Sequence, residues 1–201
     1  QAFLIAEDFL EGNDCVLVLG DNIFYGDNLF EILQNACNAN NSATIFGYKV
    51  KDPERYGVIE FDGKNKVKSI IEKPFNPKSK YAVTGIYFYD EDVVNYAKKI
   101  SKSERGELEI TDLNNIYIKK GKLKVEIFGR GSAWFDTGTH DSLLEASNFI
   151  YTLEKRQSLK IGSPEEVAWR NKWIDNDQLI KLSKFSYKNE YGKYLIDLVP
   201  F

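Results

Sequence analysis

VLVLGDNIFYG, residues Val16 to Gly26, decides how the rest of the chain is read. Four apolar residues run straight into Gly20, Asp21 and Asn22, and the chain then turns apolar again through Ile23, Phe24 and Tyr25. A short continuous apolar run, here Val16–Leu19, is the pattern of a strand buried on both faces. Ligands of open α/β sheets bind beyond the carboxyl ends of the strands, so an aspartate there is placed to hold a metal. Glycine just before it lets backbone approach a ligand closely. The same residues also suit a plain turn, because Asp and Asn bond their own backbone.

The flanking segments alternate in the same way. Gln1–Leu10 carries Phe3, Leu4, Ala6, Phe9 and Leu10 on a helix-like face, and Asp27–Asn38 carries Leu29, Phe30, Leu33, Ala36 and Cys37 at helical steps. Ala43–Val50 reads as a strand, and this βαβ rhythm predicts a Rossmann-like α/β fold: a mixed, mainly parallel sheet flanked by helices. Further on, Gly57–Asp62 and Lys66–Glu72 read as a hairpin turning at Asp62-Gly63. Tyr81–Tyr89 is an aromatic, β-branched strand, Glu91–Ile100 and Ile110–Lys120 are helices, and Lys122–Phe128 is a strand. From Thr139 the pattern is helical to the end. Ser163-Pro164-Glu165-Glu166 reads as a capping box with proline in the first turn, and Asp175 to Gln178 as a second cap. The expected organisation is a sheet domain over residues 1–150 with a helical appendage, 151–201, packed on it.

The chain has 201 residues, 43% hydrophobic content and a net charge of −3. That is an ordinary soluble composition, with no electrostatic reason for nucleic-acid binding. No apolar run approaches the roughly 18 residues of a membrane helix. The two cysteines, Cys15 and Cys37, read as reduced core residues of a cytoplasmic protein. The chain starts at Gln1 and contains no Met, so it is expected to lack its natural N-terminus.

Three further stretches carry charge where chemistry could use it. In Trp134-Phe135-Asp136-Thr137-Gly138-Thr139-His140, Asp136 follows aromatics and precedes a turn and a helix. Asp21 and Asp136 could share one Mg²⁺, a cation that takes hard oxygen ligands and usually one or two carboxylates plus phosphates. In Ile71-Glu72-Lys73-Pro74, Lys73 could meet a phosphate and Glu72 sugar hydroxyls, or the two could form a solvated pair at a strand end. Arg105, in RGELEITD, could be a second phosphate clamp, or the stretch could be an acid-rich helix start. The single histidine, His140, excludes a multi-histidine metal site, and no G-x-G-x-x-G or P-loop pattern occurs.

Taken in order, the segments LGDNIFYG, RYGVIEFD, IEKPFNPKS, YAVTGIYFYD, RGELEITDLN, GRGSAWFDTGTHDSLLEASNFI and SPEEVAWRNKWI resemble the glucose-1-phosphate thymidylyltransferases over almost the whole chain. The resemblance implies dTDP-glucose synthesis from dTTP and glucose 1-phosphate, the first step towards dTDP-rhamnose. It implies Asp21 and Asp136 as Mg²⁺ ligands, Lys73 on the sugar phosphate and Arg105 as a further phosphate contact. Tyr56, Gly57, Glu72, Val83 and Tyr87 match positions around the sugar, and Trp134 belongs to the same pocket. A homotetramer is implied, with a regulatory site for the feedback inhibitor dTDP-rhamnose drawn from Gly129, Arg130, Glu166, Val167 and Arg170. Those five residues also suit ordinary helix packing and surface charge.

The family pattern begins with a strand and a G-G-x-G-T-R-L loop that holds the triphosphate, and these are not in the sequence. The fold is therefore expected to be N-terminally incomplete and the segment inactive by itself. A uridylyltransferase or a non-catalytic sugar-nucleotide sensor are the alternative readings, with a nicotinamide dehydrogenase a weaker third.

Overall fold

One long strand organises the first half of the molecule. The computed structural model describes residues 1–39, 41–64, 66–184 and 189–199, which fall into two compact units, Gln1–Thr139 and His140–Phe201. In chain order the first unit contains α1 (Ala2–Ile5), α2 (Glu7–Leu10), β1 (Cys15–Val18), β2 (Asn22–Tyr25), α3 (Leu29–Cys37) and β3 (Ala43–Lys49). A 3-10 turn at Pro53–Arg55 leads to β4 (Gly57–Phe61), β5 (Val67–Glu72), β6 (Tyr81–Tyr89), α4 (Val93–Ala97), α5 (Ile110–Lys119), β7 (Leu123–Ile127) and β8 (Ala133–Asp136). The second unit contains α6 (His140–Gln157), α7 (Pro164–Arg170), α8 (Asn176–Ser183) and α9 (Glu190–Asp197).

β6, rich in tyrosine and β-branched residues, is the spine of a sheet ordered β5-β4-β6-β3-β7, with β1 also paired to β6. β6 runs antiparallel to β1, β3 and β4, and β7 runs parallel to β3. So β1, β3, β4 and β7 share one direction and the sheet is mixed as expected, but not mainly parallel: among the described residues only β3 and β7 pair in parallel, because β6 runs against each of its neighbours. β3 occupies one edge of β6. The other edge is divided: β1 pairs along Ile86–Tyr89 and β4 meets β6 at Ala82. Val83, Thr84 and Gly85 lie in the notch where these two neighbours part.

Both faces of this sheet are covered. Adjacent Ile45 and Phe46 on β3 go to opposite sides, as the pleat requires. Ile45 joins Ile59, Tyr87, Tyr89, Leu113 and Tyr117 beneath α4 and α5, and Phe46 joins Ile86, Phe128 and Ala36 beneath α3. Polar groups in the first core are mostly paired: Tyr89 donates to Asn114 Oδ1 at 2.6 Å and Tyr117 to Asp90 at 2.6 Å.

Several expectations change. The apolar run Val16–Leu19 is not buried on both faces. Cys15 and Leu17 turn to the core, whereas Val16 and Val18, on the other side of the pleat, are 49% and 54% exposed. The expected first helix is broken into α1 and α2 at Ala6, which leaves Phe3 buried but Phe9 86% exposed. On α3, Ala36 is buried while Phe30 and Cys37 face outward, so Cys37 is a surface thiol and not a core residue.

In the second unit Leu179 and Leu195 are the buried anchors of α8 and α9. The Asp175–Gln178 capping box is complete, with side-chain bonds in both directions. The Ser163 cap is half a box: its hydroxyl accepts from Glu166 N–H, but the Glu166 carboxylate turns to Arg170 at 2.7 Å and to the Tyr194 hydroxyl. Parts of the expected helical tail, residues 185–188 and 200–201, lie outside the described residues.

Burial, reinforced by the Glu166 charge, pushes the Tyr194 phenol up to about 12. A phenol whose pKa rises on folding stabilises the unit fully below its unfolded value near 10 and loses that contribution as pH climbs towards 12. The melting temperature should therefore fall between pH 10 and 12, and by less in Tyr194→Phe. Equal alkaline losses in the two proteins would remove Tyr194 from the account.

Candidate active site

The apolar residues after Gly20-Asp21-Asn22 form a second, two-stranded sheet. β2 pairs antiparallel with β8, placing Asn22 opposite Asp136, Ile23 opposite Phe135, Phe24 opposite Trp134 and Tyr25 opposite Ala133. Thr137 locks the end of this ribbon, donating both its N–H (2.9 Å) and its hydroxyl (2.8 Å) to the Asp21 carbonyl. The pairing brings Asp21 and Asp136 to one end of the ribbon. A Cβ placed on Gly138 would lie 3.4 Å from Asp136 Oδ1 and 3.8 Å from Asp21 Oδ2, so both carboxylates border the space that this glycine leaves bare.

The opposite wall comes from the β4–β5 hairpin, where Gly57 pairs with Glu72. A Cβ on Gly57 would come within 3.0 Å of Thr111 Oγ1 and 3.3 Å of Glu72 Oε2. The glycine thus allows the hairpin to approach α5, and Thr111 donates to Glu72 Oε2 at 2.5 Å. Lys73 follows with φ of 42°, in the left-handed region that side-chain-bearing residues seldom occupy, held by its N–H to the Tyr56 carbonyl at 3.0 Å. Among the described residues Lys73 has no ion-pair partner, which leaves its ammonium for a ligand. Strained residues of this kind cluster at functional sites.

Asp21, Tyr56, Gly57, Glu72 and Lys73 line one cleft of about 220 Å³, and Val83, Tyr87, Trp134 and Asp136 complete the set expected from the sequence. The cleft opens at the notch beside β6. Arg105 is the exception. It stands at the rim, 3.7 Å from Glu72 Oε1, and is also drawn to Glu107 and Glu109. Tyr87 lies against the floor, its phenol pushed well up by burial and secondarily by the Glu72 charge.

Sequence reasoning missed Asn22, Arg55, Gly85 and Thr111, all of which line the cleft. Arg55 pairs with Asp52 at 2.9 Å and stacks 5.4 Å from the Tyr56 ring centre. Its signal was its place directly before Tyr56-Gly57. Thr111 lay in the acid-rich stretch after Arg105. Nothing local marks Gly85, whose role depends on Asn22 sixty-odd positions away.

The proposed regulatory residues are divided between the units. Gly129 and Arg130 follow β7 in the first, and Glu166, Val167 and Arg170 lie on α7 in the second, where Glu166 and Arg170 already pair. His140 is the first residue of α6, outside the set lining the cleft.

Chemically the cleft offers two carboxylates at one end, a carboxylate and an ammonium on the facing wall, and guanidinium groups nearby. Among the described residues no group of three or more His, Cys, Asp or Glu is arranged to hold a metal. Two hard oxygen donors around a bare glycine nevertheless fit Mg²⁺, which usually completes its shell with water and substrate phosphates.

The nucleotidyl transferase family model matches residues 1–152. The glucose-1-phosphate thymidylyltransferase of Neisseria meningitidis is 50% identical over 99% of this chain and 69% of its own length. That of Xanthomonas campestris pv. campestris is 54% identical over 98% of this chain and 67% of its own length. Among solved structures, a protein from Bacillus anthracis assigned as a glucose-1-phosphate thymidylyltransferase, in complex with a sucrose, superposes with a TM-score of 0.67 at 40% identity, over 81% of this chain and 62% of that one. A UDP-glucose pyrophosphorylase complexed with UDP-glucose superposes with a TM-score of 0.66 at 21% identity, over 75% of this chain and 61% of that one, a likeness of fold alone. The chain thus spans about two thirds of the length of its curated relatives and less of these solved ones.

Proposed function

The chain belongs to the nucleotidyl transferase family, and on that premise we propose that the whole protein transfers a thymidylyl group from dTTP to glucose 1-phosphate, giving dTDP-glucose and pyrophosphate. A phosphate oxygen of the sugar attacks the α-phosphorus in line, the new P–O bond forms, and the bond to the β-phosphate oxygen breaks. The nucleophile is already an anion, so no general base is required, and the difficulty is the mutual repulsion of two anions.

The observation that carries this reading is the gathering of Asp21, Asp136, Glu72 and Lys73 around one cleft. Asp21 and Asp136 would hold Mg²⁺, which supplies charge neutralisation to the phosphates when bound. Lys73 places an ammonium on the sugar phosphate. Glu72, fixed by Thr111, accepts from sugar hydroxyls, and Gly57 lets Thr111 and Glu72 close together beside its backbone. Arg105 and Arg55 add positive charge at the mouth, and Trp134 and Tyr56, with rings 5.1 Å apart, form an apolar wall. Such preset groups act by orientation and charge stabilisation.

Pyrophosphate release from the whole protein with glucose 1-phosphate, Mg²⁺ and each nucleoside triphosphate tests the reading. dTTP should be the fastest donor. UTP as the preferred donor would make the protein a uridylyltransferase, and no release with any donor would overturn the enzymatic reading. A homotetramer with a dTDP-rhamnose site at Gly129, Arg130, Glu166, Val167 and Arg170, acting in the cytoplasm in dTDP-rhamnose synthesis, belongs to the same proposal. No helix among the described residues is long and apolar enough to cross a membrane.

Lys73→Gly separates fold from function. It relieves a left-handed conformation that disfavours side chains by roughly 1–2 kcal/mol, offset by glycine's extra chain entropy of about 0.5–1 kcal/mol. Stability should stay within about 1 kcal/mol while KM for glucose 1-phosphate rises at least tenfold. A strongly destabilised variant would mean that the side chain packs, and an unchanged KM would remove Lys73 from the phosphate.

A further inference from the structure

Asn22 stands where three parts of the cleft meet. Its Oδ1 accepts from the Gly85 N–H in the β6 notch at 3.1 Å and from the Trp134 indole N–H at 2.7 Å. Its Nδ2 donates to Asp21 Oδ1 at 3.0 Å. The carboxamide is thus fixed on one side by the central sheet and by an aromatic of the ribbon, and on the other it takes one oxygen of its neighbour. The oxygen it leaves, Asp21 Oδ2, is the one bordering Gly138 beside Asp136 Oδ1.

We infer that Asn22 is a positioning residue: it engages Asp21 Oδ1 and so presents Oδ2, with Asp136 Oδ1, to the divalent cation. This rests on the reading of Asp21 and Asp136 as cation ligands. A carboxylate free to rotate would offer its oxygens in many directions, and holding one of them removes that freedom before a cation arrives. Partners that orient a ligand in this way typically change metal affinity or activity by 10–100-fold when removed. The sheet side of the bracket is tight. A Cβ on Gly85 would fall 2.5 Å from Asn22 Oδ1, so the carboxamide is packed against backbone as well as bonded to it.

The probe is Mn²⁺, followed by electron paramagnetic resonance in the whole protein without nucleotide or sugar. The expected result is Mn²⁺ binding that weakens at least tenfold in Asn22→Ala. Trp134→Phe, which loses the indole bond but keeps the arm to Asp21, should lower the melting temperature with a smaller change in Mn²⁺ affinity. A bracket that only supports the ribbon would lower both melting temperatures and leave Mn²⁺ affinity alike in the two variants, and that outcome overturns the inference. A measurement on the unsubstituted protein avoids dependence on the folding of Asn22→Ala. The side-chain amide signal of Asn22 in a nitrogen–proton NMR spectrum should shift as Mg²⁺ is added, with the midpoint of Mg²⁺ binding. A signal that stays still while Mg²⁺ binds sinks the role of Asn22 alone, whereas failure of the unsubstituted protein to bind either cation sinks the ligand reading beneath it.

Discussion

Asp136→Asn in the whole protein is expected to lower kcat by about 10²–10³-fold at saturating Mg²⁺, because a metal's charge stabilisation is worth several kcal/mol and each 1.36 kcal/mol is tenfold. The substitution keeps the shape of the side chain and removes its charge. It should leave the fold alone: Asp136 ends β8, its ladder with Asn22 is a backbone matter, and among the described residues no side-chain hydrogen bond or ion pair holds its carboxylate. Stability should change by about 0.5 kcal/mol or less, the range for substitutions that break no packing or cap. Asp21→Asn should lose turnover to a similar degree, and the double variant should lose far less than the product of the two, since the carboxylates act as a unit. Near-normal turnover of Asp136→Asn, with a normal melting curve, would end its assignment as a ligand.

Gly85→Ala carries the largest expected loss of stability. The added methyl would stand 2.5 Å from Asn22 Oδ1 and 2.6 Å from its Cγ, contacts that real structures do not make. Asn22 cannot yield without giving up its bonds to Gly85, Trp134 or Asp21. Overpacking costs about 1–3 kcal/mol, and a buried donor left unpaired adds about 1–3 kcal/mol. A loss of roughly 2 kcal/mol or more is therefore expected in urea denaturation, together with reduced turnover as Asp21 is displaced. Gly47→Ala is the control. Its methyl would meet Ile127 Cδ1 at 2.7 Å and Ile59 Cδ1 at 2.9 Å, the free ends of side chains that can rotate, so its loss should be nearer 1 kcal/mol. Equal losses at the two positions would show that Asn22 is not held as described.

How far the sequence discloses this arrangement depends on where each signal resides. β6 was legible to the residue, because nine tyrosine-rich and β-branched positions between turns fit only a strand. The Asp175 cap was legible because both of its bonds lie within four residues. The ribbon was not. Asn22–Tyr25 and Ala133–Asp136 are each four residues long, and what makes them strands is each other. β1 misled in the opposite sense: continuous apolarity suggested burial on both sides, yet the alternation rests on which neighbours are present, as it does for Phe9, Phe30 and Cys37. Of the cleft, the acids, Lys73 and Tyr56-Gly57 stood out by residue type and by the family pattern. Asn22 passed as part of a turn, and Gly85 as a small residue in a strand, since the function of each lies in touching the other.

The pairing of β2 with β8 also sorts the chain by what inheritance can alter. Between Gly26 and Ser132 the polypeptide makes a closed excursion, and doubling a flexible loop within it costs only about 0.6 kcal/mol. Insertions at the hairpin turn after Asp62 would lengthen that excursion while the two acids keep their spacing. A one-residue deletion inside either ribbon strand is a different event, since a slip of one position sends every side chain of that strand to the opposite face. Descendants of this chain can drift in length at the surface turns of the detour, but not within the two short segments that begin and end it.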